Sequence, residues 1–143
     1  MKPMPFPQHG DSTPPVHIAC AQVYGGNSNA DCQLALGGVE VRVFSRAHSG
    51  EAGGDICYVG TCSEETVSRV LIADVVGHGT AVSAIGQHIH SEFRRFMDYG
   101  DNVLGLEASN AALRSLGYSA LTSAAAFAYV RSEGRCYISS AGH

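Results

Sequence analysis

Basic residues are scarce in this chain. Nine Lys and Arg stand against thirteen Asp and Glu, for a formal net charge of −4, and no Lys/Arg stripe runs along any segment. The electrostatic footprint of a nucleic-acid binder is missing, so no nucleic-acid partner is expected. No continuous apolar run approaches the roughly 18 residues of a transmembrane helix. The opening stretch MKPMPFPQHGDSTPP has one Lys and no apolar h-region, so it does not read as a secretory signal. These lacks exclude a membrane partner and point to the cytoplasm. No CxxC pair links Cys20, Cys32, Cys57, Cys62 and Cys136. An odd count without metal-ligand spacing fits reduced thiols better than a disulfide framework or a structural zinc site. Proline is absent after Pro15, and no internal repeat is present.

What is there suffices for one domain. The 143 residues are 45% hydrophobic and 15% charged, the balance of a folded protein rather than a disordered one. All five prolines fall in the first 15 residues, so residues 1–37 read as a leader, partly disordered, holding a short apolar piece (Val16 to Tyr24) and a GGNSNAD loop. The main domain is expected over residues 38–143.

Within it, VEVRVFS alternates Val39, Val41 and Val43 with Glu40 and Arg42, the period of a half-buried strand. After a Gly-rich connection, ICYV (Ile56 to Val59) reads as a second strand. A polar turn follows over Thr61 to Thr66, and SRVLIAD reads as a third strand, apolar enough to be central. The few residues between the last two make them a hairpin. From Ala81 the period lengthens: Ala81, Ala84, Ile85, His88, Ile89, Phe93, Phe96 and Met97 predict a helix with one apolar face, stopped by Gly100. Asp101 or Asn102 can cap a second helix, with Leu104, Ala108, Ala111, Ala112 and Leu116 on its apolar side. LTSAAAFAYVR and RCYISSA form another hairpin around Ser132-Glu133-Gly134. Three strands, two helices and two strands make an α+β fold rather than an alternating βαβ one.

The chemistry concentrates on the stretch ADVVGHGTA. Asp74 ends the third strand and Asp55 begins the second, so in a hairpin both carboxylates reach one sheet edge. Each alone would be a turn or cap residue. Paired at an edge beside Gly53, Gly54, Gly77 and Gly79, they suit a hard cation with oxygen ligands, with room for a backbone carbonyl or a phosphate to approach. His78, between two glycines at the mouth of this edge, is either an exposed loop histidine or a proton donor to a leaving oxygen. His88 and His90 lie on different helix faces and make poor joint ligands.

Three motifs fall in a telling order. AGGD-ICYV, LIADVVGHGTAVSA and LTSAAAFAYV…GRCYISSAGH together resemble the metal-dependent PPM-type (type 2C) serine/threonine phosphatases, in their bacterial SpoIIE/RsbU-like branch. The resemblance covers about the last three quarters of the chain and leaves the first 38 residues outside. It implies an αββα sandwich with a two-metal Mn²⁺ or Mg²⁺ centre. Carried over by position, Asp74 would bridge the metals, Asp55 would bind one, and the carbonyl of Val75 could complete the set. A metal-activated water would attack phosphorus in line, on a phosphoprotein substrate, with His78 as candidate acid for the leaving group. Arg46, before the GGD loop, is a candidate phosphate clamp. The family pattern continues past AGH into further strands and two more metal-binding aspartates. The chain therefore reads as the N-terminal half to two thirds of such a domain, its C-terminal strands missing. Weak activity and self-association through open sheet edges are expected of it. The alternative is a catalytically inactive phosphatase-like interaction module that binds a regulator or phosphoprotein.

Overall fold

The computed structural model describes residues 14–20, 23–47, 52–62, 64–77, 80–95, 101–115, 117 and 122–142. Residues 1–13 of the leader, His78, Gly79 and His143 thus lie outside the described residues, as do Phe96, Met97 and Gly100 of the first expected helix and Leu116 of the second.

The chain runs β1 (Val16–His17), β2 (Val23–Gly26), β3 (Ala30–Leu36), β4 (Val39–Ser45), β5 (Asp55–Cys62), β6 (Val67–Val75), α1 (Thr80–Arg95), α2 (Asn102–Ser115), β7 (Thr122–Val130) and β8 (Arg135–Ala141). Five strands, in the order β2-β5-β6-β7-β8, make one fully antiparallel sheet. A smaller sheet has the order β1-β3-β4, with β1 parallel to β3. The protein is an α+β protein, with two helices and two open sheets among the described residues.

Alternation along the central strands sends side chains into two separate cores. From β5 and β6, Ile56, Tyr58, Leu71, Ala73 and Val75 pack with Val82, Ile85 and Ile89 of α1. The intervening Cys57, Val59 and Val70 pack instead with Leu34, Leu36 and Val43 of the small sheet. The large sheet is therefore a middle layer, and near-continuous apolarity in VLIADV is what a strand buried on both faces requires. Among the described residues, the outer face of the small sheet carries no helix.

The strand expected at Val39 to Ser45 is present, as are both later hairpins and the two helices. The strand over ADCQLAL was not anticipated. It alternates Cys32, Leu34 and Leu36 inward against exposed Asp31 and Gln33, and pairs with β4 over seven rungs. Gly38, where the main domain was expected to start, is the second turn residue of this hairpin, with φ 97°. The polar turn expected at Thr61 is shorter. β5 runs on to Cys62, because Thr61 is fully buried and its hydroxyl donates to the Val67 carbonyl at 3.2 Å. The turn is made by Glu64 and Glu65, both at positive φ (55° and 65°).

The second helix buries a different side from the expected one. Leu104 is exposed, while Asn102, Gly105 and Ser109 face inward, with Leu106 and Leu113 against the helix-side core. Small residues at this spacing let α2 lie close on the sheet. The Asn102 amide then donates to the carbonyls of Ala126 and Tyr137, at 3.4 and 3.3 Å, tying α2 to β7 and β8.

Candidate functional site

Asp55 and Asp74 are directly opposed in the β5–β6 ladder. The next rung outward is Gly54 with Val75, where the Val75 amide donates to the Gly54 carbonyl at 3.1 Å. Rungs alternate in an antiparallel pair, so Asp55 and Asp74 occupy a non-hydrogen-bonded rung, the kind that brings side chains closest. Both are exposed, and alternation with the inward Ile56, Ala73 and Val75 turns them toward the small sheet. They stand beside a cleft of about 380 Å³ between the two sheets, whose apolar walls include Val41, Val43, Cys57, Val70 and Ile72. On the far side of Asp74 the next residue in register is Ser123 of β7.

Two glycines are fixed by packing at this edge. A Cβ on Gly54 would sit 2.3 Å from the Val75 carbonyl oxygen, a distance that excludes any side chain. Gly77, at φ 122°, takes the chain from β6 toward α1, and a Cβ there would meet Val82 at 2.9 Å. The closeness expected for a phosphate is thus taken, at these two positions, by the protein's own backbone and by Val82. Gly53 is less crowded, its nearest neighbours 3.9 Å from a Cβ. Val75 is 1% exposed as a whole residue, and its side chain belongs to the helix-side core.

The loop before Asp55 is anchored by residues that the sequence reading passed over. Asn27 is buried; its carbonyl accepts from the Gly53 amide at 2.9 Å, and its side-chain amide donates to the Gly53 carbonyl at 3.2 Å. Asn29 Oδ1 accepts from the Ala47 amide at 2.7 Å. The NSN stretch holds both ends of the Gly-rich connection, and so sets where Asp55 begins its strand. The available signal was an Asn pair flanking a turn, where such side chains bond nearby backbone.

Among the described residues neither carboxylate has an ion pair or a side-chain hydrogen bond, and no third His, Cys, Asp or Glu completes a metal-binding group. Two arginines that line this cleft have other contacts. Arg42 pairs with Asp31 at 3.4 Å, and the Arg46 guanidinium lies 5.6 Å from the centre of the exposed Phe44 ring. Arg42, Phe44 and Arg46 line the same cleft as the two carboxylates, and neither arginine forms an ion pair with Asp55 or Asp74. The donor chemistry of the pair is all oxygen, uncompensated and open to solvent. That fits a hard divalent cation, held weakly by two protein carboxylates alone. His78 follows Asp74 in the loop to α1 and lies outside the described residues.

Deeper between the sheets, Tyr24, Cys32 and Cys57 gather. A hydrogen bond with Cys32, then burial, then the two thiol charges push the Tyr24 hydroxyl up to about 12. Burial, then Cys32, raises Cys57 to about 11. Tyr24 and Cys57 therefore stay neutral at physiological pH. On the helix side, His90 is lowered by burial and then by the Arg94 charge.

No protein-family model matches the chain, and neither a curated protein nor a solved structure matches it significantly.

Proposed function

We propose that the chain is a PPM-type, SpoIIE/RsbU-like protein serine/threonine phosphatase domain of αββα design, acting in cytoplasmic signalling, in which Asp55 and Asp74 hold Mn²⁺ or Mg²⁺. The observation that carries this is the single rung. Two exposed, unpaired carboxylates face each other where like charges cost stability, an arrangement that a cation turns to advantage. The AGGD, ADVVGHG and AGH motifs around that rung supply the rest of the support.

On this reading Asp74 and Asp55 bind the metal, and the carbonyl of Val75, adjacent to Asp74, completes the set. The metal, when bound, supplies Lewis acidity to a phosphoryl group and to the water that attacks it. The P–O bond to the seryl or threonyl oxygen breaks as the new P–O bond to water forms, and His78 gives the departing oxygen its proton. Asn27 and Asn29 act as positioning residues, holding the loop from which Asp55 projects. The substrate is a phosphoserine or phosphothreonine of another protein.

The test is Mn²⁺-dependent hydrolysis of a small phosphate ester by the chain, beside Asp55→Asn and Asp74→Asn. Turnover that needs the metal and disappears in either variant supports the reading. Turnover that survives both substitutions overturns it.

A second reading is favoured by the two-carboxylate count. With no third ligand among the described residues, the same surface serves an inactive phosphatase-like module that binds a regulator or a phosphoprotein. No hydrolysis, together with an Mn²⁺-induced stabilisation that Asp74→Asn removes, would select it.

A further inference from the structure

The carboxylate rung does not end at Asp74. In the β5–β6 ladder Asp74 is opposed to Asp55, and in the β6–β7 ladder it is opposed to Ser123. Residues opposed in an antiparallel pair point to the same face of the sheet. Ala124, the next residue along β7, belongs to the helix-side core, so Ser123 faces the small sheet with the two aspartates. Three oxygen-bearing side chains thus form one row across three strands, with Asp74 in the middle.

The surroundings of that hydroxyl single it out. The row next inward on the same face, Cys57, Ile72 and Ala125, carries no oxygen. Strand β7 itself reads TSAAAFAYV, with alanine at four of its nine positions. Of Ser123 and Ala125, which share a face two residues apart, the hydroxyl falls at the position that meets a carboxylate.

We propose that Ser123 is the positioning residue of Asp74, donating its hydroxyl to the carboxylate oxygen that a cation leaves over. This rests on the reading of Asp55 and Asp74 as holders of Mn²⁺ or Mg²⁺, and adds the group that orients one of them. A cation shared by the pair draws on the Asp74 oxygen nearer Asp55. The other oxygen is then on the side of β7, where Ser123 is the neighbour in register. With opposed Cβ atoms about 4.5–5.5 Å apart, a serine hydroxyl and an aspartate oxygen come within hydrogen-bond reach. A carboxylate that ligates a metal is commonly held in this way, and an O–H donated to it is of the strong, charge-assisted kind.

Mn²⁺ titration of the 143-residue chain, followed by the electron paramagnetic resonance signal of free Mn²⁺, tests the assignment. Threonine and valine have one shape and differ by the hydroxyl, and both suit a strand. Ser123→Thr is expected to bind Mn²⁺ within about twofold of wild type, and Ser123→Val about tenfold more weakly. The rise in melting temperature on adding Mn²⁺ is expected to be full in Ser123→Thr and reduced in Ser123→Val. Replacing Ser123 for its packing alone would not separate the two variants. Equal Mn²⁺ affinity in Ser123→Thr and Ser123→Val would overturn the role of Ser123, and the aspartate pair would still stand if Asp74→Asn loses the metal. A wild-type chain that takes up no Mn²⁺ would overturn the pair and Ser123 together.

Discussion

Asp55 and Asp74 face each other across a non-hydrogen-bonded rung of β5 and β6, with no cation from the described residues between them. Opposed like charges in such a rung cost roughly 0.2–1 kcal/mol. In metal-free buffer, Asp74→Asn is therefore expected to raise the melting temperature slightly. Added Mn²⁺ is expected to stabilise the wild type and to leave Asp74→Asn unmoved. Calorimetry with and without Mn²⁺ checks both halves. A variant less stable than wild type without metal would show that the pair is not held against its own repulsion.

Gly54 determines whether that rung stays closed. An added methyl would meet the Val75 carbonyl at 2.3 Å and Val82 at 3.2 Å, so the strands or the start of α1 must shift. Gly54→Ala is expected to cost about 1–3 kcal/mol. Gly53→Ala, with its nearest neighbours at 3.9 Å, is expected to cost much less. Denaturant unfolding of the two variants side by side reads the difference.

The carboxylate rung was legible because both aspartates terminate strongly apolar strands at Gly-rich turns, so a hairpin alone brings them together. Asn27 was not legible, since its partner Gly53 is 26 residues away and only the folded loop joins them. β3 was hidden by punctuation. Gly37-Gly38 reads as a boundary, yet it is a tight turn, with the Glu65 carbonyl 2.1 Å from a Cβ on Gly37. In α2 the expected apolar side misled: Leu104 is exposed, and the close approach to the sheet is made through Asn102, Gly105 and Ser109. Hydrophobic periodicity reports burial of large side chains, and it is silent where a helix packs through small ones.

That packing yields a test of its own. The Asn102 amide is buried and bridges two carbonyls on neighbouring strands. Asn102→Ala leaves those contacts unmade and is expected to cost about 1–3 kcal/mol. Hydrogen exchange should show the loss concentrated in α2 and the β7–β8 hairpin. Protection lost evenly over the molecule would contradict a local tie.

Thiol reactivity separates the surface from the core. Cys20 and Cys136 are exposed, Cys62 is buried, and Cys57 is held protonated by burial and by Cys32. At pH 8 a maleimide is expected to label Cys20 and Cys136 within minutes, and Cys57 and Cys62 only on unfolding. Peptide mapping by mass spectrometry identifies the sites. Early labelling of Cys57 would mean that the two sheets part in the native state.

His90 makes the stability of α1 depend on pH. Its ring lies 5.6 Å from that of Tyr58, and burial, then the Arg94 charge, lowers its pKa below the ordinary histidine value of about 6.5. In the window just below that value the unfolded chain binds a proton that the folded chain does not. Stability therefore rises with pH through this window and is fully present above it. Acidification from pH 7 is expected to lower the unfolding free energy progressively once the pH falls below about 6.5. His90→Gln removes the titrating group and keeps a polar side chain of similar reach. The difference in stability between wild type and variant is thus expected to be constant above neutrality and to shift against the wild type in acid. A difference that stays flat from pH 7.5 down to pH 5 would show that His90 titrates alike in both states.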